Sequence, residues 1–568
     1  MNSNKTILCA TLGSCVHVAG IFNFMRLAQE QHYKTEFLRP PNTISEIIQK
    51  IYQTNADIIA LSYRLTPEVA VNLIKELRLK LTQELKSKIW IFGGTTLVCE
   101  AIKPLGVFHH YFNGKATEID VLEFLRRSQV TTKEEESIFP NTLIERMDFV
   151  KPFPLLRAHF GMSSVDETLK GIEEISQAKV IDIISIGPDQ NFQEHFFSPE
   201  AMKTMEKGAG GVPIRSEDDL VSLYVASRQG NFPLLRCYSG TRQLLKMAEL
   251  LNRTIHNSWG ATPLFWYSEL DGRSSRRIPE AIKENQENMA WYGSHKIPFE
   301  SNESHHWSLR SAPDAVAVAA SFLGAYNAKK AGVQYYISQL MFDTPLNISP
   351  RFDLAKMIAK TELIEGLHDS NFISFRQVRT GLLSFPEDPH LARGQLASSL
   401  QIAMFLKPHI VHVVSFCEGN HIATSQKVIE SAKIARRVIS NSIRGLPSII
   451  HDQQIQAYKQ QLITDANYIL QAINLIATPN VTDPLIDPLT LSAAVKFGIL
   501  DAPHLRGLTV SRGDIETTLI DGKCLSIDKY TLKICSEKDR LTHILEREGY
   551  PDLVDDWPER ARLKVMLI

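Results

Sequence analysis

Short apolar runs alternate with stretches of helical periodicity along the first part of the chain. Three runs have the length of strands: Thr6–Leu12, Ile58–Ser62 and Ile89–Phe92. A helical pattern follows the first run, and another fills Glu68–Leu85. This alternation predicts a doubly wound parallel sheet, which binds ligands beyond the carboxyl ends of its strands. The loops at that edge are Gly13–Gly20, Ser62–Thr66 and Gly93–Gly94.

The same alternation returns over about 300 residues in the middle of the chain. Its strand-like runs are Val180–Ile186, Phe232–Tyr238, Pro263–Tyr267, Val333–Leu340, Phe372–Val378 and Ile410–Phe416. The length and the number of repeats fit a (β/α)8 barrel of the TIM type better than a second open sheet. We therefore expect an α/β protein with a flavodoxin-like domain over 1–130, a polar linker over 131–153 that includes the charge run Lys133–Glu136, a barrel over 154–480 and an extension over 481–568.

Composition narrows the classes of partner. The 62 Lys and Arg residues against 63 Asp and Glu residues leave a formal charge of -1, which argues against nucleic acid as a partner. The 7 cysteines form no CxxC pair, so they predict neither a zinc site nor a disulfide framework, and they favour a reducing compartment. Because the chain shows no signal-peptide pattern and no long uncharged apolar run, we expect a cytoplasmic protein without a membrane partner.

The loop after the first strand reads GSCVHVAG, from Gly13 to Gly20, and lacks the GxGxxG of a dinucleotide site. A single loop histidine such as His17 is by itself most often solvated. Together with LSYRL at 61–65 and FGG at 92–94, however, the loop resembles the cobalamin-binding domain of glutamate mutase (methylaspartate mutase) and methionine synthase. The resemblance covers residues 5–127. It implies that His17 is the lower axial ligand of the cobalt and that the corrinoid contacts Ser14, Cys15, His17, Val18, Gly20, Ser62, Leu65, Gly93 and Gly94.

One position departs from that family. The family's aspartate, which supports the ligating imidazole, is Cys15 here, and a thiol is a weak substitute. Three interpretations stay open: His17 ligates with a less electron-rich imidazole, the corrinoid is held without the histidine, or the module binds no cofactor.

A weaker, pattern-level resemblance extends to the large catalytic subunit of glutamate mutase over most of 200–530. It is carried by Met205–Ser216 with Leu235–Leu250, by Pro313–Met341 and by Leu491–Ile527. The family's carboxylate-binding arginine is replaced by Tyr238, although Gly240 and Thr241 match. The family's catalytic glutamate falls at Gly260 or Ala261, and its ribose-binding glutamate falls near Gln426. These departures argue against glutamate itself as the substrate.

Polar and aromatic side chains gather at the predicted strand ends of the barrel, where barrel enzymes place their active sites. We expect catalytic roles for Glu269, Glu300, His305, His306, Arg310, Asp343 and Glu418, and substrate contacts from Arg236, Tyr238, Gly240, Thr241 and Tyr267. His305 and His306, as neighbours on a strand, would point to opposite faces and lack a third ligand, so hydrogen-bonding roles are expected rather than a metal site.

The resemblance favours an adenosylcobalamin-dependent mutase, an isomerase that rearranges a small-molecule substrate by a radical mechanism. A corrinoid-dependent methyltransferase, which would use methylcobalamin and an acidic or metal-activated acceptor site, is the first alternative. A non-catalytic cobalamin sensor or carrier is the second. The expected partners are a small substrate and, as an open option, a second copy of the chain in a homodimer.

Overall fold

The computed structural model describes residues 5–31, 33–116, 118–127, 139–203 and 207–553. The chain divides into two compact units, Met1–Ile138 and Phe139–Ile568. The predicted charge run at 133–136 and the start of the Met205 stretch lie outside the described residues.

The first unit is built on a five-stranded parallel sheet. Its strands are β1 (Thr6–Thr11), β2 (Lys34–Leu38), β3 (Ile58–Tyr63), β4 (Ile89–Gly94) and β5 (His110–Phe112), in the order β2-β1-β3-β4-β5. Its helices are α1 (Ala19–Glu30), α2 (Ile44–Thr54), α3 (Pro67–Lys80), α4 (Gln83–Lys86), α5 (Thr96–Ile102) and α6 (Glu118–Arg127). Strands β1 and β3 are buried along their whole length, because parallel strands of this kind have both faces covered.

The three predicted strands of this unit are confirmed, and two further strands flank them. Strands β2 and β5 escaped prediction because they are short edge strands whose residues are mostly half-buried rather than apolar throughout. The predicted helix over Glu68–Leu85 is divided at Leu81, where the backbone becomes extended. Thr82 then caps α4 by accepting a hydrogen bond from the Leu85 amide.

The second unit holds an eight-stranded, nearly closed parallel barrel, consistent with the TIM type. Its strands are β6 (Leu155–Phe160), β7 (Ile183–Ile186), β8 (Leu234–Cys237), β9 (Gly260–Ala261), β10 (Phe299–Glu300), β11 (Tyr335–Phe342), β12 (Ile373–Thr380) and β13 (Ile410–Val413). Strands adjacent in chain order pair with each other, except β8 with β9, and β13 pairs with β6. Between β8 and β9 the Ser258 amide donates to the Leu235 carbonyl at 3.0 Å, which nearly completes the circle.

Helices connect the barrel strands, and further elements follow the last strand. The helices up to that point are α7 (Leu143–Val150), α8 (Val165–Ala178), α9 (Gln190–His195), α10 (Glu217–Ala226), α11 (Leu244–Ile255), α12 (Ile278–Ser294), α13 (Glu303–Ser308), α14 (Asp314–Lys330), α15 (Pro350–Glu365), α16 (Pro389–Ala403) and α17 (Ser425–Ile443). The remaining elements are α18 (Gln453–Leu475), α19 (Pro488–Phe497), the antiparallel hairpin β14 (Glu516–Ile520) and β15 (Lys523–Ile527), and α20 (Glu537–Glu548). No helix within the described ranges is both long and apolar enough to cross a membrane.

Two details of the predicted barrel need correction. Pro263–Tyr267 is not a strand: the strand there is the two-residue β9, and the apolar run that follows it is a buried loop. Strands β6 and β10 escaped prediction, because Arg157 and His159 interrupt the apolar run of β6 and because β10 too has only two residues. Gly260 in β9 lies against the ring of Tyr292, where an added Cβ would meet ring carbons at 2.4 Å, so only glycine fits this close approach.

The amino-terminal end of the barrel is covered by α7. Leu143, Met147 and Val150 pack against the first inward residues of the strands, such as Leu155 and Ile183. The second half of the stretch predicted as a linker therefore contains a helix with a buried apolar face, which belongs to the barrel core.

Candidate functional site

The first unit contains a cavity of about 360 Å³ at the carboxyl ends of its strands. Gly20, Ser62, Gly93 and Gly94, which come from three separate stretches of sequence, all line it. Phe24 and Leu27 of α1 add apolar wall, and Asn23 and Arg64 add polar groups. The three stretches of the sequence motif therefore line a single pocket. It lies at the carboxyl edge of the sheet, where parallel sheets of this kind bind ligands.

The glycines of this cavity serve different purposes. A Cβ at Gly20 would meet nothing within 4 Å, and one at Gly93 would meet only the Leu61 carbonyl oxygen at 4.0 Å. Side chains at these positions would extend into open space, so glycine keeps the cavity open. At Gly94 a Cβ would lie 2.7 Å from the ring of Phe92 and 2.8 Å from the Tyr63 carbonyl oxygen, so packing alone demands glycine there.

His17 lies exposed on the loop before α1, with its Nδ1 3.8 Å from the Sγ of the buried Cys15. This contact leaves Nε2 as the ring nitrogen turned away from the thiol. The start of the loop is held by Asn42, a buried residue that sequence reasoning missed, whose amide donates to the Thr11 carbonyl at 3.0 Å. The imidazole therefore stands on an anchored loop.

Of the predicted corrinoid contacts, Ser14, Cys15, His17, Val18 and Leu65 do not line the cavity. Ser14 and Val18 lie on the same loop as His17, exposed and half-buried respectively. Leu65 is 43% exposed on the loop after β3, where Arg64, rather than Leu65, reaches the cavity.

The interior of the barrel, here called the lumen, is polar and charged above its apolar floor. Side chains alternate along each strand, so residues two apart point to the same side. In β6 the inward positions are Leu155, Arg157 and His159, and hydrogen bonds across the barrel confirm that orientation for Arg157. The lumen residues that interact with one another are Arg157, His159, Ser185, Arg236, Tyr238, Trp259, Glu300, Gln339, Gln377, Arg379 and His412.

Arg157 and Glu300 form the centre of a buried network. Arg157 donates to Ser185 Oγ at 2.6 Å, to Gln377 Oε1 at 2.8 Å and to Glu300 Oε2 at 3.3 Å. The same Glu300 oxygen accepts from Trp259 Nε1 at 2.8 Å and from Gln377 Nε2 at 3.1 Å. Burial raises the pKa of Glu300, but the charges of Arg236 and Arg157 and these donors outweigh it and lower the pKa overall. Glu300 is therefore a carboxylate.

Arg236 lies beside Arg157 and Glu300 but takes no part in their network of hydrogen bonds. It is fully buried, and none of its three guanidinium nitrogens has a hydrogen-bond partner. Its Nη2 lies 3.7 Å from Glu300 Oε2, and its guanidinium carbon lies 4.2 Å from the centroid of the Tyr238 ring. Two buried guanidinium groups thus share one carboxylate.

Imidazoles complete the lumen. Burial lowers the pKa of His159 and of His412 well below the usual value, and the charges of Arg157, Arg236 and Arg379 lower both further. His159 Nε2 lies 3.2 Å from Arg157 Nη2 and 3.2 Å from the Tyr238 hydroxyl. Because the guanidinium can only donate, Nε2 accepts and the neutral ring carries its proton on Nδ1. The two ring nitrogens of His412 have no partner.

The predicted histidine pair lies on the short helix α13 rather than on a strand. His305 places Nδ1 2.5 Å from Gln339 Oε1, and burial lowers its pKa to about 3. His306 packs against the rings of Trp266 and Tyr267, at centroid distances of 5.7 and 5.5 Å, and neither of its ring nitrogens is bonded. In the described part of the chain, no group of three or more His, Cys, Asp or Glu side chains is arranged to hold a metal ion.

Two further predicted residues surround that pair. Arg310 lies 3.9 Å from the centroid of the Trp266 ring and donates to the His306 carbonyl at 3.0 Å. Tyr267 is buried with a positive φ of 60°, and burial raises its pKa to about 12. These residues build an aromatic wall beside His305.

Several predicted catalytic residues have hydrogen-bonding tasks within the fold. Glu269 accepts from the Ile278 amide at 3.0 Å, at the beginning of α12. Asp343 accepts from Ser399 Oγ at 2.5 Å, and burial raises its pKa. Gly240 and Thr241 pack on Gln193, whose carbonyl accepts from the Thr241 amide at 2.9 Å. The structure does not bring these four residues into the lumen network.

Two buried glutamates have pKa values raised to about 7. For Glu418 burial is the cause, and the charge of Arg379 opposes it. Glu303, which sequence reasoning missed, accepts from the amides of Leu264 and Phe265 at 2.5 and 3.1 Å and from Trp307 Nε1 at 2.6 Å. These bonds lower its pKa less than burial raises it.

Sequence reasoning also missed eight residues of the lumen network: Arg157, His159, Ser185, Trp259, Gln339, Gln377, Arg379 and His412. The signal that could have found them is a polar residue at every second position of an otherwise apolar strand. Arg376, which also lies on β12, points outward and pairs with Glu365 at 2.6 Å.

Comparisons with known proteins add little to this geometry. The chain matches no protein-family model and no curated protein. One solved structure similar to it is the apo, selenomethionine-labelled cobalamin-dependent S-adenosylmethionine radical enzyme OxsB, with 10% sequence identity over 99% of this chain and 83% of that chain and a TM-score of 0.18. A likeness at this level carries no argument, so the interpretation depends on the residues of the two sites.

Proposed function

We propose that this chain is a cobalamin-dependent enzyme, an isomerase that rearranges a small substrate by a radical mechanism. The observation that carries the proposal is the convergence of Gly20, Ser62, Gly93 and Gly94 on one cavity, with His17 on the preceding loop. The strand order β2-β1-β3-β4-β5 supports it, because this is the order of flavodoxin-like sheets.

The residues present fit a cobalamin. The cavity has room at Gly20 and Gly93 for a group that approaches the backbone, and His17 has Nε2 available as a ligand while Nδ1 faces Cys15. Cys15 would be the partner that orients the ring, although a thiol supports an imidazole less strongly than a carboxylate does. When bound in its adenosyl form, cobalamin supplies a carbon radical by homolysis of its cobalt–carbon bond.

The barrel lumen would bind and orient the substrate. Its polar groups are buried, so water is largely excluded and each hydrogen bond to a substrate is strengthened. His305 would offer Nε2 as an acceptor, because its Nδ1 donates to Gln339. Glu418, whose pKa burial raises to about 7, could hold a proton near neutral pH.

The lumen also discriminates between the alternatives. A methyltransferase of the kind considered above would use an acidic or metal-activated acceptor site, whereas the lumen holds guanidinium groups in excess of its carboxylate. A carrier would have no use for a buried guanidinium without a hydrogen bond, which is costly to keep.

The first test is cobalamin binding. The protein is purified under dim red light with adenosylcobalamin, methylcobalamin or neither, and the absorption spectrum of the desalted protein is recorded. We expect stoichiometric retention of the adenosyl form. Preference for the methyl form would replace the isomerase with a methyltransferase, and no retained corrinoid would overturn the proposal.

The histidine ligand is tested separately. His17→Ala should remove the imidazole nitrogen splitting from the electron paramagnetic resonance spectrum of the Co(II) form, and should weaken retention about 10-fold or more. His390→Ala, at an exposed histidine of α16, is the control and should change neither. An unchanged spectrum in His17→Ala would show that the histidine is not the ligand.

A further inference from the structure

The lumen contains two arginines in nearly the same surroundings but with opposite hydrogen bonding. Both Arg157 and Arg236 are fully buried. Arg157 uses all three of its guanidinium nitrogens in hydrogen bonds, whereas Arg236 uses none. Buried charges in proteins are normally paired and hydrogen-bonded, so Arg236 needs a hydrogen-bond partner that the described part of the chain does not provide.

Glu300 does not fill that need. Its Oε2 already accepts from Arg157, Trp259 and Gln377 and lies 3.7 Å from Arg236 Nη2, too far for a hydrogen bond, and its Oε1 accepts from no group among the described residues. With two guanidinium groups and one carboxylate, the centre of the lumen carries an excess of one positive charge.

Other unused groups lie in the same lumen. His412 has a neutral ring whose nitrogens have no partner, and the Nε2 of Gln339 donates to nothing. Arg379 adds a third guanidinium, whose Nε donates a long hydrogen bond of 3.5 Å to the Thr380 carbonyl. The guanidinium of Arg236 and the Gln339 amide are unpaired donors, and the neutral ring of His412 has one donor and one acceptor nitrogen. The unpaired donor nitrogens therefore outnumber the one unpaired oxygen of Glu300, which favours a ligand that carries acceptors.

We propose that Arg236 binds a carboxylate group of the substrate in the barrel lumen, with His412 and Arg379 as further contacts. The proposal deepens the proposed function by naming a substrate class, and it rests on that function only for the reaction that follows binding. A carboxylate is favoured because its two oxygens match the fork of a guanidinium and its negative charge offsets the positive charge that Arg157 and Arg236 leave in excess of Glu300.

Tyr238 explains how this differs from the family's arrangement. In the resemblance, position 238 is the arginine that grips a carboxylate. Here the Tyr238 ring lies against the guanidinium of Arg236, two residues earlier on the same face of β8. Compared with an arginine at position 238, the guanidinium of Arg236 therefore lies one inward-facing position deeper in the barrel. The Tyr238 hydroxyl lies next to His159 Nε2.

The test is calorimetric titration of the full-length protein without cobalamin. Acetate, succinate, inorganic phosphate and chloride are compared at constant ionic strength. We expect a carboxylate to bind best, and we expect Arg236→Met to weaken its binding about 10- to 100-fold, because a charge-assisted bidentate contact is lost. Arg376→Met is the matched control: it removes an arginine that points out of the barrel and pairs with Glu365, so binding should persist.

Thermal melting separates binding from structure. Because Arg236 has no hydrogen bond to lose, Arg236→Met should melt at or above the wild-type temperature. Arg236→Lys, which keeps the charge but not the fork, should bind carboxylate more weakly than wild type.

Four results would overturn the proposal: no carboxylate binding to the wild type, tighter binding of phosphate or chloride, unchanged binding in Arg236→Met, or a strong fall in its melting temperature. The last would mean that Arg236 is a structural partner of Glu300. Since no cobalamin is present, these results are independent of corrinoid binding, so either proposal can fail while the other stands.

Discussion

The two candidate sites are built in opposite ways. In the first unit the cavity is defined by missing side chains, at Gly20 and Gly93, and its walls are largely backbone and apolar groups. In the second unit the lumen is filled with charged side chains that bond to one another, around Arg157 and Glu300. A ligand can enter the first kind of site without breaking any contact of the folded protein. In the second kind of site the charged side chains must first stabilise one another, and a ligand binds to those polar groups that have no hydrogen-bond partner within the protein.

This comparison predicts that the lumen is sensitive to single substitutions in its network. Arg157→Met removes the hydrogen bonds to Ser185, Gln377 and Glu300 and leaves Glu300 beside the guanidinium of Arg236, which at 3.7 Å is too far to replace the lost hydrogen bond. We expect the free energy of unfolding to fall by about 3–5 kcal/mol, as for breaking other buried charge pairs. Denaturant unfolding measures it. Arg376→Met, at a partly exposed pair, should cost less than about 1 kcal/mol, and an equal loss in both variants would contradict the distinction.

A smaller effect is expected from the proton on Glu303. Burial raises its pKa from 4.5 to about 7 in the folded protein, so the folded state holds this proton more tightly than the unfolded chain does. The stabilisation is complete below about pH 4.5 and is lost as the pH rises to about 7, a change of about 3 kcal/mol. Glu303→Gln should flatten this part of the curve.

The measurement is urea unfolding of the wild type and of Glu303→Gln at several pH values between 4.5 and 8. The difference between the two curves isolates Glu303 from other titrating groups such as Glu418. Parallel curves would show that Glu303 is ionised throughout.

The smallest expected effect tests the open cavity. Gly20→Leu places a side chain in space that is free of protein atoms, so we expect unchanged melting but about 10-fold weaker retention of adenosylcobalamin, a difference of about 1.4 kcal/mol. Gly394→Leu, at an exposed helical glycine with equally free space, should retain the cofactor as wild type does. Undiminished retention in Gly20→Leu would mean that this cavity is not the corrinoid site.

The first cavity was largely predictable from sequence because its determinants are loop glycines and polar residues at strand ends. Ser62 and Gly93 stand out in a linear sequence, and the strand alternation says that they meet. Asn42 was not predictable, since its role depends on a loop crossing that no local pattern reveals.

The lumen was less predictable because its charges lie inside strands. Arg157 and His159 interrupt an apolar run, and the period of two that makes them neighbours was present in β6 but short. Where strands have only two residues, as in β10, no period exists, and Glu300 was predicted only as a polar residue near a strand end. Arg376 and Arg379 illustrate this on β12. They are three residues apart, and because side chains alternate along a strand, Arg376 points out of the barrel whereas Arg379 points into it.

Helix α7 has a consequence for the traffic of small molecules. Because Leu143, Met147 and Val150 close the amino-terminal end of the barrel, the lumen is open at one end only. Whatever enters beside Arg379 must leave by the same opening, so a spent molecule obstructs the next arrival. Product and substrate should therefore exclude each other, and the rate of emptying sets an upper limit on turnover.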